Sequence, residues 1–445
     1  YKEALDCFVH MHNEGCSPNT CTLICGLRIS IGMGCVNKGK EIHSDIIKMG
    51  LEGETLVANT LVDMYGKNGL SAAAWKVHSS HPIRDVVSWT ALLAGFVEHK
   101  RGEDALHCFE AMQHDSVSSN AVTLVCLLKA CGMTQDGYSG QEIHQEVARK
   151  GLENDIVIGN TLVDMYAKCG LLGTAQDMFD RLPIHDTVSW NVLLSGYADN
   201  ACDEEVLICI EQLQHEGIHP NTATYVSSLK SCGNIGAALK GQELHSAMVK
   251  QALERYPVIA NTLIDMYAKC GLLIESQNVF EAFQDRDQIS WNALIAGCAQ
   301  LGEIEKVFIF FNTMREDVQP NLVTFLSILN ACSHAGLVDI GQILFGAISN
   351  LCGFVQTLEH FTCMIDLLGR AGHIEKALAM IGRMPLHPGI VSWHAVLGAC
   401  RKWGTVELGR DAFHHAMGVD ENSTAAHLCM INIFADTARQ KEIKS

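Results

Sequence analysis

The sequence predicts an all-α chain, an α-solenoid of stacked helix-turn-helix units, and three observations predict it. A seven-residue phrase returns at a fixed step: "NTLVDMY" at Asn59–Tyr65 and Asn160–Tyr166, then "NTLIDMY" at Asn261–Tyr267, 101 residues apart each time. Other residues keep the step: Trp89, Trp190 and Trp291; His43, His144 and His245; Lys67, Lys168, Lys269 and Arg370. Within each block apolar residues fall at helical spacing, and turn residues cut the block into pieces of about 35, 35 and 31 residues. Length alone would suggest about three globular domains for 445 residues. Repetition overrides that prior: one helical hairpin cannot bury its apolar faces, so neighbours must stack around one continuous core.

In chain order, "YKEALDCFVHMHNEG" reads as the back half of a helical unit, so the chain is expected to be a fragment whose targeting peptide lies outside it. Units then run 20–54, 55–85, 86–120, 121–155, 156–186, 187–221, 222–256, 257–287, 288–321, 322–357 and 358–389, after a partial 1–19. Their boundaries carry turn signals such as "GLENDI", "LPIHDT" and "HEGIHPN". Unit 187–221 shows the internal logic. Trp190, Leu193, Leu194 and Tyr197 form one face of a first helix; Val206, Leu207, Ile210 and Leu213 form one face of a second. Asp203, Glu204 and Glu205 suit the second helix's N-terminus, and Gly217 and Pro220 close the unit.

Packing accounts for the Trp, Tyr, Leu and His repetition. It does not account for a polar trio at i, i+4, i+8: Asn59, Asp63 and Lys67; Asn160, Asp164 and Lys168; Asn261, Asp265 and Lys269; then Thr362, Asp366 and Arg370. A solvated face tolerates almost any polar residue, so either a duplication has not yet eroded or these side chains have a task.

At these residues the chain resembles a plant pentatricopeptide-repeat protein of the PLS class, whose repeats alternate ordinary, long and short forms. "TVSWNVLLSGYADN" is similar to the ordinary form, "GQEIHQEVARKGLEND" to the long and "IVIGNTLVDMYAKCGLLGTAQDMFDRLPIHD" to the short. The likeness spans 1–389 as a repeat array. "IVSWHAVLGACRKWGTVELGRDAFHHAM" resembles the extension (E-type) motif, at 390–423, with a second, truncated one at 424–445. The resemblance implies a right-handed superhelix that binds single-stranded organellar RNA, one nucleotide per repeat, through the repeat's fifth and last residues.

Carried over, the reading pairs are Asn59 with Asp85, Thr90 with Asn120, Asn160 with Asp186, Asn191 with Asn221, Asn261 with Asp287, and Asn292 with Asn321. The long repeats carry Val125 and Val226 at the fifth place and are expected to read little. An ionised Asp only accepts hydrogen bonds, which suits the N3–H of uracil, whereas an Asn amide can donate to N3 of cytosine. The resemblance implies uracil, cytosine and adenine for Asn/Asp, Asn/Asn and Thr/Asn, hence a target 5′-UAnUCnUCnn upstream of an edited cytidine. Thr362 with Gly389 departs from the readable pairs. Six readers at about 1 kcal/mol each would supply about 6 kcal/mol of discrimination. The formal net charge of −18 argues against binding dominated by phosphate contacts. Lys67, Lys168, Lys269 and Arg370 are the candidates for local ones.

The resemblance further implies a site-recognition factor for C-to-U RNA editing in a mitochondrion or chloroplast, partnered by a DYW-type cytidine deaminase and other editing factors. Two alternatives stand: a repeat factor in RNA processing or stability, and a tetratricopeptide-like protein-binding scaffold, although the W-x2-L-G-x2-Y signature of the latter is not seen. No catalytic residues, metal site or cofactor are expected. "HEGIH" at His215–His219 fits H-E-x-x-H but is interrupted by Gly217 and followed by Pro220. "GCVNKGKE" from Gly34 places Glu41 where a phosphate loop needs Ser or Thr, and "HNE" at His12–Glu14 has no P-C-x-x-C partner for a deaminase zinc site. The 19 cysteines form no CxxC pair and read as reduced structural thiols, Cys131, Cys232 and Cys332 among them. No run of about 18 apolar residues is present to span a bilayer, so no membrane partner is expected.

Overall fold

The computed structural model describes residues 1–14, 17–350, 353–385 and 387–444; within them the side chains of 9, 12, 13, 350 and 437–444 are left aside. Part of the "HNE" stretch and the end of segment 424–445 therefore lie outside the described residues. Among the described residues there are 26 α-helices, one 3₁₀ turn at Leu253–Arg255 and no strand. None of these helices is long and apolar enough to cross a membrane. The chain is an all-α repeat solenoid that divides into two compact units, Tyr1–Ser227 and Ser228–Ser445, the division falling inside the Thr222–Ile235 helix.

In the first unit a lone Lys2–Asn13 helix precedes hairpins such as Thr55–Lys67 with Ser71–Ser80, Val86–Glu98 with Gly102–His114, Ile156–Lys168 with Leu172–Asp180, and Thr187–Asp199 with Asp203–His215. First helices pack on their neighbours in the stack: Val86–Glu98 lies against Thr55–Lys67 before it, Ala121–Thr134 after it and its own second helix. The turn between the Ile156–Lys168 and Leu172–Asp180 helices needs Gly170 at φ 74°, a left-handed conformation that costs a residue with a Cβ. First helices approach closely through small residues: a Cβ on Gly95 would lie 2.6 Å from the Cα of Gly66. One apolar cluster, from Phe8 to Leu213, runs through this unit.

The second unit repeats the scheme with hairpins that include Pro257–Lys269 with Leu273–Ala282, Gln288–Gln300 with Ile304–Asp317, Leu358–Arg370 with Ile374–Ile381, and Ile390–Trp403 with Val406–Val419, then the Thr424–Lys444 helix. Its buried apolar side chains form two neighbouring clusters, bridged by Val338 and Met380, which pack against both. Met364 and Leu367 belong to one cluster and Ile365 and Leu368 to the other, because successive positions of the Leu358–Arg370 helix face opposite neighbours. The Asp203–His215 helix ends before Gly217 (φ 73°), so His215 and His219 do not share a helix face as a zinc-protease pair would.

Each recurring tryptophan packs against a ring from the preceding second helix. Phe179 meets Trp190, and Phe280 meets Trp291, edge to face at 4.6 Å. In the first block the same place is taken by His78, 4.2 Å from Trp89. It is 1% exposed, and neither ring nitrogen has a hydrogen-bond partner. Burial foremost, helped by Arg84, pushes its pKa down to about 4. Between pH 6.5 and 4 the unfolded chain therefore holds a proton that the folded chain refuses, so the stability present above pH 6.5 is lost as pH falls toward 4. His78→Phe, which restores the ring of the other two blocks, should raise the urea midpoint, and by more at pH 5 than at pH 8. Equal gains at both pH values would contradict a buried neutral imidazole.

Candidate functional site

The last residue of each reading pair is the N-cap of the next unit's first helix, whose opening N–H groups need an acceptor. Asp85 Oδ1 accepts from the amides of Val87 (3.1 Å) and Ser88 (2.9 Å). Asp287 Oδ1 accepts from those of Ile289 and Ser290, at 3.0 and 2.8 Å. Asn221 and Asn321 accept from the Thr224 and Thr324 amides at 3.1 and 3.0 Å, and Asn120 from that of Thr123 at 2.9 Å. Capping commits one atom of each side chain. The atom left over differs: a second carboxylate oxygen for Asp, an Nδ2–H₂ donor for Asn. At Asp186 the Ser189 amide is the main cause holding the carboxyl below its usual range, so it stays ionised at neutral pH.

The fifth residue lies beside its cap. Asn59 Nδ2 donates to both oxygens of Asp85 (3.2 and 3.3 Å), and Asn261 Nδ2 to both of Asp287 (3.3 and 3.4 Å). Asn191 Nδ2 donates to Asn221 Oδ1 at 3.2 Å, and Asn292 Nδ2 to Asn321 Oδ1 at 3.1 Å. Two pairs are not joined in this way. Thr90 bonds to Thr123 Oγ1 (2.8 Å) and donates to the Val86 carbonyl, while no hydrogen bond links Asn160 to Asp186 among the described residues. These residues were expected on a solvated polar face, yet Asn59, Asn160 and Asn292 are buried, at 7%, 8% and 9% exposure. The next unit's first helix packs on the helix that carries each of them, and the cap residue beside them is half-buried or exposed.

Two further sets of residues escaped the sequence reading. The first is the residue three past the cap. Thr224 Oγ1 donates to Asn191 Oδ1, and Thr324 Oγ1 to Asn292 Oδ1, both at 2.6 Å, fixing which way each amide faces. Ser88, Ser189 and Ser290 occupy that place after the short units. Their hydroxyls turn back to their own caps, and Oδ1 of Asn59, Asn160 and Asn261 has no partner. The signal was in view as the capping-box phrases "NAVT", "NTAT" and "NLVT". The second set is an apolar ladder, three residues before the fifth: Val87, Val122, Val157, Val188, Val258 and Ile289 are 54–64% exposed. Exposed apolar groups at the same place in successive units form a pattern that single surface valines do not.

The four basic residues are each paired on their own helix: Lys67 with Asp63 (3.1 Å), Lys168 with Asp164 (2.6 Å), Lys269 with Asp265 (2.9 Å) and Arg370 with Asp366 (2.8 Å). Exposed i,i+4 pairs of this kind are weak and exchangeable. Val125 and Val226 are half-buried at the fifth place of the long units.

Thr324→Val, an isosteric change, should orphan Asn292 Oδ1 and remove the acceptor of the Asn321 amide, destabilising the chain by about 1–3 kcal/mol in urea unfolding. An unchanged midpoint would show that the hydroxyl does not hold the amide.

Segments 84–133 and 286–334 match the PPR repeat family, and 160–184, 188–218, 258–287 and 359–387 match the PPR repeat. Among curated relatives in Arabidopsis thaliana, pentatricopeptide repeat-containing protein At1g50270 is 33% identical over 91% of this chain and 68% of its own length. At1g06140, named mitochondrial, is 32% identical over 98% of this chain and 78% of its own. At4g33990 is 35% identical over 91% of this chain, which spans 50% of that protein's length. Maize PPR10 aligns over 100% of this chain and 70% of its own, with a TM-score of 0.62 at 15% identity. The same protein in complex with an 18-nt psaJ RNA element aligns over 99% and 69%, with a TM-score of 0.69 at 16% identity. The chain belongs to the pentatricopeptide repeat family.

Proposed function

We propose that the chain binds single-stranded RNA and selects its sequence through the fifth and last residues of successive repeats. The observation that carries this is the capped pair: one atom is spent on the helix N-terminus, and the remaining atom is an acceptor at Asp85, Asp186 and Asp287 and a donor at Asn221 and Asn321. An acceptor complements N3–H of uracil; a donor complements N3 of cytosine. The apolar ladder offers each base a face to rest on, sequence-tolerant by nature, so that the polar pair discriminates. The fold shared with an RNA-bound protein supports the same reading.

Finer assignments extend it. Residues 1–389 are the repeat array in ordinary, long and short triplets, 390–423 an extension motif and 424–445 part of a second. The protein acts in a mitochondrion or chloroplast, a placement supported by relatives named mitochondrial. Its task is recognition of a C-to-U editing site, with deamination supplied by a DYW-type deaminase; the resemblance of 390–423 to the extension motif favours editing over other RNA processing.

A gel shift with 5′-UAnUCnUCnn against the RNA with every U and C exchanged should favour the first; equal affinity would defeat the assignment. Asp186→Asn keeps the cap and changes the free atom, and is expected to move preference at one nucleotide from U toward C by about fivefold. With phosphate contacts carried by Lys67, Lys168, Lys269 and Arg370, the plot of log affinity against log salt should have a slope of about −3. An affinity untouched when Lys67, Lys168, Lys269 and Arg370 all become Ala would strip them of that role.

A further inference from the structure

Four residues after the fifth place, the long units carry a cation that the other units lack: Arg28, Lys129 and Lys230 recur there at the 101-residue step. The ordinary units hold Ala94, Ser195 and Ala296 at that place, and the short units Asp63, Asp164 and Asp265. On a helix the offset is one turn along the same face, so the cation lies beside the row of fifth residues. Lys129 and Lys230 are exposed. Neither is in an ion pair among the described residues, since Asp164 and Asp265 of the following units are engaged by Lys168 and Lys269. Glu98 on the preceding helix acts on the same thiol, Cys126, as Lys129 does, yet it makes no ion pair with Lys129. In the fourth long unit the place belongs to Asn330, whose Oδ1 accepts from the Cys363 thiol at 2.8 Å.

The short unit's lysine leans onto the long unit. A Cβ on Gly132 would lie 3.1 Å from Cδ of Lys168 and 3.6 Å from its Cβ; one on Gly233 would lie 3.2 and 3.6 Å from the same atoms of Lys269. Lys269 Nζ also donates to Asn234 Oδ1, at 3.4 Å. Gly132 and Gly233 stand three residues past Lys129 and Lys230, a neighbouring place on the helix surface. Each of the two junctions thus gathers two lysines around one aspartate, a local positive excess in a chain of net charge −18.

We propose that units 121–155 and 222–256 hold the RNA backbone instead of a base: Lys129 with Lys168, and Lys230 with Lys269, bind the phosphodiester that joins the nucleotide facing the long unit to the next one. The inference rests on the RNA-binding reading above and gives the units that do not discriminate a task of their own. An ammonium is a compact charge on a flexible stem, and two of them beside one phosphate hold it whatever bases flank it.

The test uses the full chain and synthetic RNAs in fluorescence anisotropy, with 5′-UAAUCAUCAA as reference. Lys129→Gln with Lys230→Gln should weaken binding about tenfold and make the slope of log affinity against log salt shallower by about 1.4, two single-strand contacts being lost. Preference for U over C at the fourth nucleotide should not change, and Lys129→Arg with Lys230→Arg should restore affinity. Neutral methylphosphonates at the linkages after the third and sixth nucleotides should cost the wild-type chain about tenfold, and the Gln variant much less. The same groups after the fourth and seventh nucleotides should cost both proteins alike. An unchanged salt slope in the Gln variant, or equal losses in both proteins from the first pair of methylphosphonates, would overturn the backbone grip while leaving the base reading intact. Equal affinity for the reference and for the RNA with every U and C exchanged would overturn the base reading instead, with the salt slope and the methylphosphonate losses still reporting on the grip.

Discussion

The six reading pairs depend on one requirement: the first helix that follows each of them has opening amides capped by a side-chain oxygen, and the last residue of the preceding repeat supplies it. The residue that closes one unit thus starts the following one and stands beside the fifth residue of its own. Only short polar side chains cap well, which narrows the choice to Asp, Asn, Ser, Thr or Gly. Within that choice the cap is indifferent to whether the side chain's second polar atom donates or accepts. Stability therefore constrains the residue class and leaves its hydrogen-bonding sense open to vary, which is the property a base-recognition position needs.

The amide beside the cap is treated in two ways. Where the next unit brings Thr three residues past the cap, the fifth-place Asn has both its groups engaged and one orientation. Where it brings Ser, the carbonyl oxygen of Asn59, Asn160 or Asn261 is left buried without a donor, a cost repeated at the same place in three blocks. The two classes coincide with the Asn-capped and Asp-capped units. The Asp-capped pairs are thus the less constrained on the protein side.

Much of the fold was legible because a repeat writes its packing several times over. The 101-residue step, the Trp and Tyr stripes and the Gly turns all recur, so chance is averaged out and helix pairs follow from spacing alone. What one copy does differently was not legible: His78 stands where Phe179 and Phe280 pack on tryptophan, and only the structure shows it buried and unpaired. The reading pairs came from family likeness, and spacing gave only their polarity. Spacing also misjudged their exposure, because a helical face that is polar in one hairpin is covered by the next hairpin in the stack. The Thr hydroxyls and the valine ladder were missed for the same reason, since their meaning lies in the neighbouring unit.

An acidic chain that selects RNA must draw discrimination from short polar contacts rather than from a positive surface, and its Lys67, Lys168, Lys269 and Arg370 are already paired with Asp one turn away. The claim that the second polar atom of each cap sets the sequence is tested most directly by selection from a fully randomised single-stranded RNA pool. The account predicts an enriched motif with U, U and U at the positions facing Asp85, Asp186 and Asp287, C at those facing Asn221 and Asn321, and no preference opposite Val125 and Val226. A pool that returns unenriched, or a motif whose U and C positions do not follow the Asp and Asn caps, would contradict it.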